Sequence, residues 1–291
     1  CFASSCILGY QVYDGYVVAQ AVRERYPNLP IIWGGWFPSV IPEMYLEANI
    51  ADAVCIGQGE VAFLEIVQAI ESGEDLANIP GLAVQRDGRT VYTDHREVVG
   101  FDKFQPVPWH LLEYERYAEL QLRPTQKKVR HRFPLPGDWT PENPPRAFSH
   151  FSSFGCPEPC TFCCSPAITG RRWKAIPGKQ LAEEIAELQA RFKFDVLRFQ
   201  DANFGVAEKR TKEFCQELVD LQVPIHWNGT IEVETIMRYK KETLDLLEDD
   251  APETVNSFVF LAQQGFFDGL EIFRNATSIG ALQTGGGDQS N

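Results

Sequence analysis

Three cysteines, Cys156, Cys160 and Cys163, stand in the spacing C-x3-C-x2-C, with Cys164 beside the third. Cysteine thiolates are the ligands of iron–sulfur clusters, and a four-iron cluster ordinarily takes four of them. Three on one short segment would leave one iron open to a small molecule, which is what a catalytic cluster needs. Pro157 and Pro159 stiffen the segment. A zinc site is the alternative, but it wants four ligands, usually in paired C-x2-C spacings. His150 or Cys164 would have to be the fourth, adjacent residues rarely point at one metal, and no second cysteine pair follows downstream. A disulfide with two buried thiols is a third reading. Cys1, Cys6, Cys55 and Cys215 are scattered in apolar surroundings, and Cys55 and Cys215 read as small buried hydrophobes. One tight cluster in a long acidic chain points to a metal or redox site in a reducing cytoplasm, not to a secreted disulfide framework.

The chain that must position this segment has 291 residues, which predicts about two domains. It carries 27 Lys+Arg against 40 Asp+Glu, a formal net charge of −13. That balance argues against nucleic acid or an anionic membrane as partner, because phosphate binding needs clustered cations. At 44 % hydrophobic and 23 % charged the composition is that of a globular protein. No apolar run approaches the roughly 18 residues of a membrane span, and the uncharged stretch 31–42 is broken by Gly34, Gly35 and Pro38. The first residue is Cys1, with no basic n-region ahead of an apolar core. Strand signals begin at once, so a fragment lacking its true start is expected.

Strand and helix patterns alternate over residues 1–85. Residues 2–8, 29–33 and 53–56 read as short strands, and 16–25 and 61–70 as helices, the second with Phe63, Ile66, Val67 and Ile70 on one face and Gly73 as its stop. Such alternation predicts a parallel α/β layer whose ligands bind beyond the carboxyl ends of the strands. Two glycine-rich turns fall there, Gly34-Gly35 and Gly57-Gln58-Gly59-Glu60. Residues 80–99 predict a hairpin turning at Asp87-Gly88. From about residue 100 to 145 the pattern decays; five prolines between Pro134 and Pro145 mark an extended connector, and Trp109 and Tyr114 predict that it packs on something.

A second α/β region starts near Arg146. Residues 147–154 read as one strand leading into the cysteines, 195–200 and 225–231 as two more, with helices striped by Leu181, Ile185, Leu188 and Phe192 and by Phe214, Leu218 and Leu221. Units of 30–40 residues match a β/α barrel, but only three or four fit, too few to close one. The tail from Gly285 reads as disordered.

The cysteine spacing after a strand, with the aromatic Phe162 just before the third cysteine, closely resembles the radical S-adenosylmethionine superfamily. The resemblance implies that Cys156, Cys160 and Cys163 hold a [4Fe-4S] cluster and that Phe162 packs near adenine. It implies that S-adenosylmethionine occupies the open iron and is cleaved reductively to a 5′-deoxyadenosyl radical, with electrons from an external donor of flavodoxin or ferredoxin type. Asp201 and Asn203 stand where the family binds the methionine amino group, though the usual Gly-Gly-Glu is absent; a helix cap at Asn203 is the alternative. Glu232 and Glu234 follow the third strand and reach either cofactor or solvent. Arg171 and Arg172 either hold an anion or sit in water.

A second resemblance covers the first region. Ser5-Cys-Ile-Leu-Gly9, Trp33-Gly34-Gly35-Trp36-Phe-Pro38 and Gly57-Gln-Gly59-Glu60, in this order, are similar to the latter part of a cobalamin-binding domain. The resemblance implies that Ser5, Gly34 and Gly35 lie against the corrin and its nucleotide tail, and that Gly57, Gly59 and Glu60 belong to the passage toward the radical domain. The family's Asp-x-His-x-x-Gly, source of a lower cobalt ligand, is absent, and Ile279-Gly280 is only an echo of a later family motif.

The expected architecture is α/β: a partial Rossmann-like cobalamin-binding domain over residues 1–85, a hairpin and Pro-rich connector over 86–145, and a partial (β/α) radical barrel over 146–291. The implied protein is a cytoplasmic enzyme similar to the group containing the anaerobic magnesium-protoporphyrin ester cyclase, acting on a small-molecule substrate by methylation, cyclisation or rearrangement. The rival is a non-catalytic iron–sulfur or corrinoid-binding module.

Overall fold

Short β-branched and apolar runs separated by glycine turns build the first sheet. In the computed structural model, which describes residues 1–121, 145–250, 272–276 and 281–284, these runs form β1 (Phe2–Ser5), β2 (Ile31–Gly34) and β3 (Ala53–Cys55), joined in parallel. β4 (Leu82–Arg86) and β5 (Arg89–Tyr92) complete the sheet as an antiparallel hairpin that turns at Asp87-Gly88 as the sequence predicts. The strand order is β1-β2-β3-β4-β5. Alternate residues of β2 feed two cores: Ile31 and Trp33 pack with Tyr45, Leu46 and Val54, while Ile32 packs with Cys55, Ile66 and Leu82. Burial on both faces is what parallel strands under helices require.

The helices of this sheet are α1 (Tyr10–Arg25), α2 (Trp36–Val40), α3 (Pro42–Glu47) and α4 (Gly59–Ser72). α4 buries Ala62, Ile66 and Ala69 at helical spacing and ends at Gly73 in the left-handed region. The short helices α2 and α3 were not legible in the pattern, since a run of mostly apolar residues from 31 to 42 shows no 3.6-residue period.

The chain divides into two units. The first comprises Cys1–His110, Phe151–Ile176 and Asp201–Asn203, so it contains the cysteine segment; the second comprises Leu111–His150, Pro177–Gln200 and Phe204–Asn291. The single strand expected over 147–154 is corrected here. It is two strands in different sheets: β6 (Ala147–His150) belongs to the second unit, and β7 (Ser153–Gly155) pairs antiparallel with β8 (Trp173–Ala175) in the first. Between β7 and β8 runs the cysteine segment and the short α6 (Ser165–Thr169).

The second unit holds a parallel three-stranded sheet, β6 beside β9 (Val196–Phe199) beside β10 (His226–Asn228). Its βα repeats carry α7 (Gly178–Phe192) and α8 (Glu208–Asp220), followed by α9 (Val233–Met237) and α10 (Lys241–Asp250). α5 (Tyr114–Gln121) precedes them, and the Tyr114 ring packs on Phe148 and Phe192, as its aromatic character predicts. Phe199, Phe204, Phe214 and Trp227 form the core between β9, β10 and α8. β11 (Ile272–Ala276) and β12 (Ala281–Thr284) pair antiparallel. The Pro-rich connector, Ile279-Gly280 and the tail from Gly285 lie outside the described residues. Among the described residues no helix is long and apolar enough to cross a membrane.

Candidate functional site

In the first unit, the carboxyl ends of β1, β2 and β3 open on a cavity of about 620 Å³. Ser5, Gly34, Gly35, Gly57, Gly59 and Glu60 all line it, so the structure brings together every residue the sequence singled out for this edge. Trp36, Phe151 and Phe154 supply aromatic walls that the sequence reading did not assign, with Trp36 and Phe154 stacked at 6.4 Å and 21°. Phe154 comes from β7, which leads into the cysteines, and Phe151 from the two residues just before that strand.

The glycine at 35 has a local cause. Its φ is +96°, and a Cβ there would lie 2.3 Å from the Cys6 carbonyl oxygen and 2.9 Å from Ser5 Oγ. The demand for glycine at 35 therefore comes from the β1 loop packed against it. Ser39 ties the two glycine turns together: its hydroxyl donates to the Gly35 carbonyl at 2.6 Å and accepts from the Gly57 amide at 3.0 Å. Gln58 is held by the Val99 backbone on both sides, accepting at 2.8 Å and donating at 3.0 Å. These bonds fix the backbone that edges the cavity.

Cys55 also lines the cavity, and burial pushes its thiol from an ordinary 9.0 up to about 11, with Arg96 opposing and Glu60 adding to the shift. Because the folded-state value lies above the unfolded one, this thiol's stabilising contribution is complete below pH 9.0 and is lost as pH rises to about 11. By linkage that loss is roughly 2–3 kcal/mol. Urea midpoints of the wild type and Cys55→Ala at pH 8 and pH 10.5 check it: the wild type is expected to lose more stability across that interval than the variant does.

The cysteine segment leaves β7 at Gly155, and Cys156 is nearly buried, Cys160 half-buried and Cys163 exposed. The loop is tied by the Cys163 amide to the Cys160 carbonyl at 3.1 Å, by the Ser165 amide to Cys163 Sγ at 3.4 Å, and by Arg171 Nε to the Pro157 carbonyl at 2.8 Å. Burial raises the Cys156 thiol, and the backbone of Glu158 lowers it in part. Among the described residues no three His, Cys, Asp or Glu side chains gather around a point where a single ion would sit. His150, the alternative zinc ligand, is bonded through Nε2 to Glu184 at 3.1 Å. Three thiols on one loop are the donor type of iron–sulfur clusters and are one short of the four ligands of a structural zinc site. Phe162 is 65 % exposed on this loop.

Asp201 is 3 % exposed and accepts three hydrogen bonds: from the Ser152 amide at 2.7 Å, Ser152 Oγ at 2.5 Å and Ser153 Oγ at 2.8 Å. It thereby anchors the start of β7, the strand that delivers the cysteines. Asp201→Ala is expected to destabilise the fold by about 3 kcal/mol, because it strands three buried donors that a charged acceptor had satisfied; equilibrium urea unfolding measures this. Asn203 is 1 % exposed, and α8 starts at Glu208 with Ala207 at its cap position, so the helix-cap alternative for Asn203 does not hold. Glu232 caps α9, accepting from the Glu234 and Thr235 amides at 3.0 and 2.8 Å, while Glu234 is exposed and pairs with Arg238 at 3.0 Å. Arg171 and Arg172 are exposed.

One parallel α/β unit thus carries both a glycine-rich cavity at its carboxyl edge and a three-cysteine loop. No family model matches the chain. Its sequence relatives include an uncharacterized methyltransferase of Pyrococcus horikoshii, 26 % identical over 226 residues that cover 77 % of this chain and 44 % of the relative. Anaerobic magnesium-protoporphyrin IX monomethyl ester cyclase of Synechocystis is 24 % identical, covering 75 % of this chain and 39 % of the relative. The cobalamin-dependent radical SAM methyltransferase TokK of Streptomyces tokunonensis is 28 % identical, covering 65 % and 25 %. Among solved structures, the cobalamin-dependent S-adenosylmethionine radical enzyme OxsB matches with a TM-score of 0.61 at 18 % identity, covering 84 % of this chain and 32 % of that one. The radical methyltransferase TsrM of Kitasatospora setae matches with a TM-score of 0.57 at 18 % identity, covering 82 % and 43 %. The chain is thus similar in sequence to proteins named as cobalamin-dependent radical S-adenosylmethionine methyltransferases and magnesium-protoporphyrin ester cyclases, shares the α/β fold of the two solved structures, and spans less than half the length of these relatives.

Proposed function

We propose that this chain is the cofactor-binding part of a radical S-adenosylmethionine enzyme that also binds cobalamin. The observation that carries the reading is one unit in which the C-x3-C-x2-C loop and the glycine-edged cavity are built together. Cys156, Cys160 and Cys163 would hold a [4Fe-4S] cluster, and the cavity edged by Ser5, Gly34, Gly35, Gly57, Gly59 and Glu60 would take the corrin. Bound there, these groups supply reductive cleavage of S-adenosylmethionine to a carbon radical and, with cobalamin, a methyl group for transfer.

The residues of the chain bind and shield. Trp36 and Phe154 present flat apolar surface to a flat ligand and exclude water from one side of the cavity. Asp201 acts by fixing Ser152 and Ser153, and so the direction from which the cysteines leave β7. Asn203, two residues on and likewise buried, would bind the cofactor from the same segment. Phe162 projects from the cluster loop, where an exposed ring is available to stack on an adenine. Glu232 keeps its place as a candidate cofactor ligand at the end of the third strand, with its carboxylate pre-oriented by the α9 amides.

The substrate is a small organic molecule, and the reaction is a methylation, cyclisation or rearrangement. Electrons come from a flavodoxin- or ferredoxin-type donor, in a cytoplasm reducing enough to keep the thiols free. The domain assignment that follows is a cobalamin-binding-like region over residues 1–85, the connector over 86–145 and the radical region over 146–291.

Trp36→Ala is expected to weaken aquacobalamin binding about tenfold, the scale of one lost aromatic contact with its buried area, in an absorbance titration of the anaerobic protein. The catalytic and carrier readings separate on 5′-deoxyadenosine. Incubating the reconstituted chain with dithionite and S-adenosylmethionine is expected to yield it by liquid chromatography and mass spectrometry. A protein that holds the cluster yet forms none is a carrier.

A further inference from the structure

Arg198 sits in the middle of β9, between Leu197 and Phe199, whose side chains are buried and, at Phe199, packed on Phe204, Phe214 and Trp227. Strand alternation sends Arg198 to the opposite face of the sheet. On that face the register aligns three polar residues across the three strands: Ser149 of β6, Arg198 of β9 and Asn228 of β10. Gln200 joins them, donating through Nε2 to Ser149 Oγ at 3.4 Å. Among the described residues Arg198 Nε is buried without a hydrogen-bond partner, and none of the ion pairs includes this arginine. Burial lowers its pKa.

A half-buried guanidinium with no counter-charge is costly to keep. Among the described residues no acidic side chain pairs with it. Arginine's planar fork matches a carboxylate or phosphate through two parallel hydrogen bonds, and flanking hydroxyl and amide groups complete such a site. We propose that Arg198, with Ser149 and Asn228, binds the carboxylate or phosphate of a small-molecule ligand on this face of the parallel sheet. Under the proposed function this ligand is the substrate or S-adenosylmethionine itself, and the inference rests on that reading only for which molecule carries the anion.

The test uses the full chain labelled with 15N-arginine, with the Arg198 Nε–Hε resonance assigned by its disappearance in Arg198→Lys. Sodium acetate, inorganic phosphate and S-adenosylmethionine are titrated separately against sodium chloride of equal ionic strength. The expected result is a saturable shift of this resonance beyond the chloride control, with apparent affinity reduced several-fold in Ser149→Ala and in Asn228→Ala. A shift with S-adenosylmethionine that acetate competes away assigns the anion to the cofactor's carboxylate. A shift with acetate or phosphate alone assigns it to the substrate. A resonance that none of the three probes moves overturns the site. Should Arg198→Lys fail to fold, Arg198→Met supplies the assignment. A saturable shift in a protein that cannot assemble a cluster would leave the anion site standing while the radical-enzyme reading falls; an assembled cluster with a silent Arg198 would do the reverse.

Discussion

Cys160→Ala is expected to abolish cluster assembly, taking iron from about four per chain after anaerobic reconstitution to a near-zero background. Three thiolates already leave a four-iron cluster one protein ligand short. With two, half of the irons lack protein, and an exposed loop cannot compensate. The loss should be specific to the three spaced cysteines. Cys164, at the cap position of α6, and Cys215, fully buried in α8, are expected to tolerate alanine without loss of iron. Iron and acid-labile sulfide analysis of the four proteins side by side measures this. Full iron retention in Cys160→Ala would remove that residue from the ligand set.

Gly155→Ala is expected to be the most disruptive substitution outside the cysteines. Gly155 has a φ of +83°, and a Cβ there would stand 2.0 Å from the Arg172 carbonyl oxygen and 3.3 Å from Thr169 Cβ. The left-handed conformation alone costs an alanine about 1–2 kcal/mol. The overlap is with backbone of the neighbouring strand's approach, so β7 and β8 must separate, and the total is expected to exceed about 3 kcal/mol. Gly88 in the β4–β5 turn is the control: its φ is +73°, but nothing lies within 4 Å of an added Cβ. Gly88→Ala should therefore cost only the conformational part, about 1 kcal/mol. Urea midpoints of the two variants separate the steric from the conformational contribution, and equal midpoints would show that the β7–β8 contact is not tight.

Much of the first unit could be read from the chain because its signals are local. Glycine turns follow β-branched runs at β2 and β3, Asp87-Gly88 sets the hairpin, and Gly73 stops α4. The cavity edge was legible for the same reason: in a parallel layer the residues just past each strand must meet at one edge. What was hidden depends on partners distant in sequence. Residues 147–154 alternate without a break, and nothing among them shows that the chain leaves one sheet for another after His150. The residue that holds the new direction, Asp201, lies 49 positions beyond Ser152. Asn203 looked like a cap because a helix follows, but that helix begins five residues later, at Glu208. Trp36, Phe154 and Ser39 were given no place at the cavity because a single aromatic at the start of a short helix or within a short strand, and a lone serine, have no periodic signature. Trp36-Phe37-Pro38 after two glycines was the one signal that could have marked the wall.

The cysteine spacing suggested a metal or redox site, but nothing in the sequence showed how the segment is positioned. The loop geometry depends on Gly155, on Arg171 bonded to Pro157, and on the Asp201 clasp.

The central claim is that one iron of a cluster held by Cys156, Cys160 and Cys163 stays open for S-adenosylmethionine. The most direct measurement is electron paramagnetic resonance of the anaerobically reconstituted, dithionite-reduced chain, recorded with and without S-adenosylmethionine. The account predicts a reduced four-iron signal whose g values shift when S-adenosylmethionine is added. Stoichiometric zinc with no four-iron signal, or a cluster signal indifferent to S-adenosylmethionine, would contradict it.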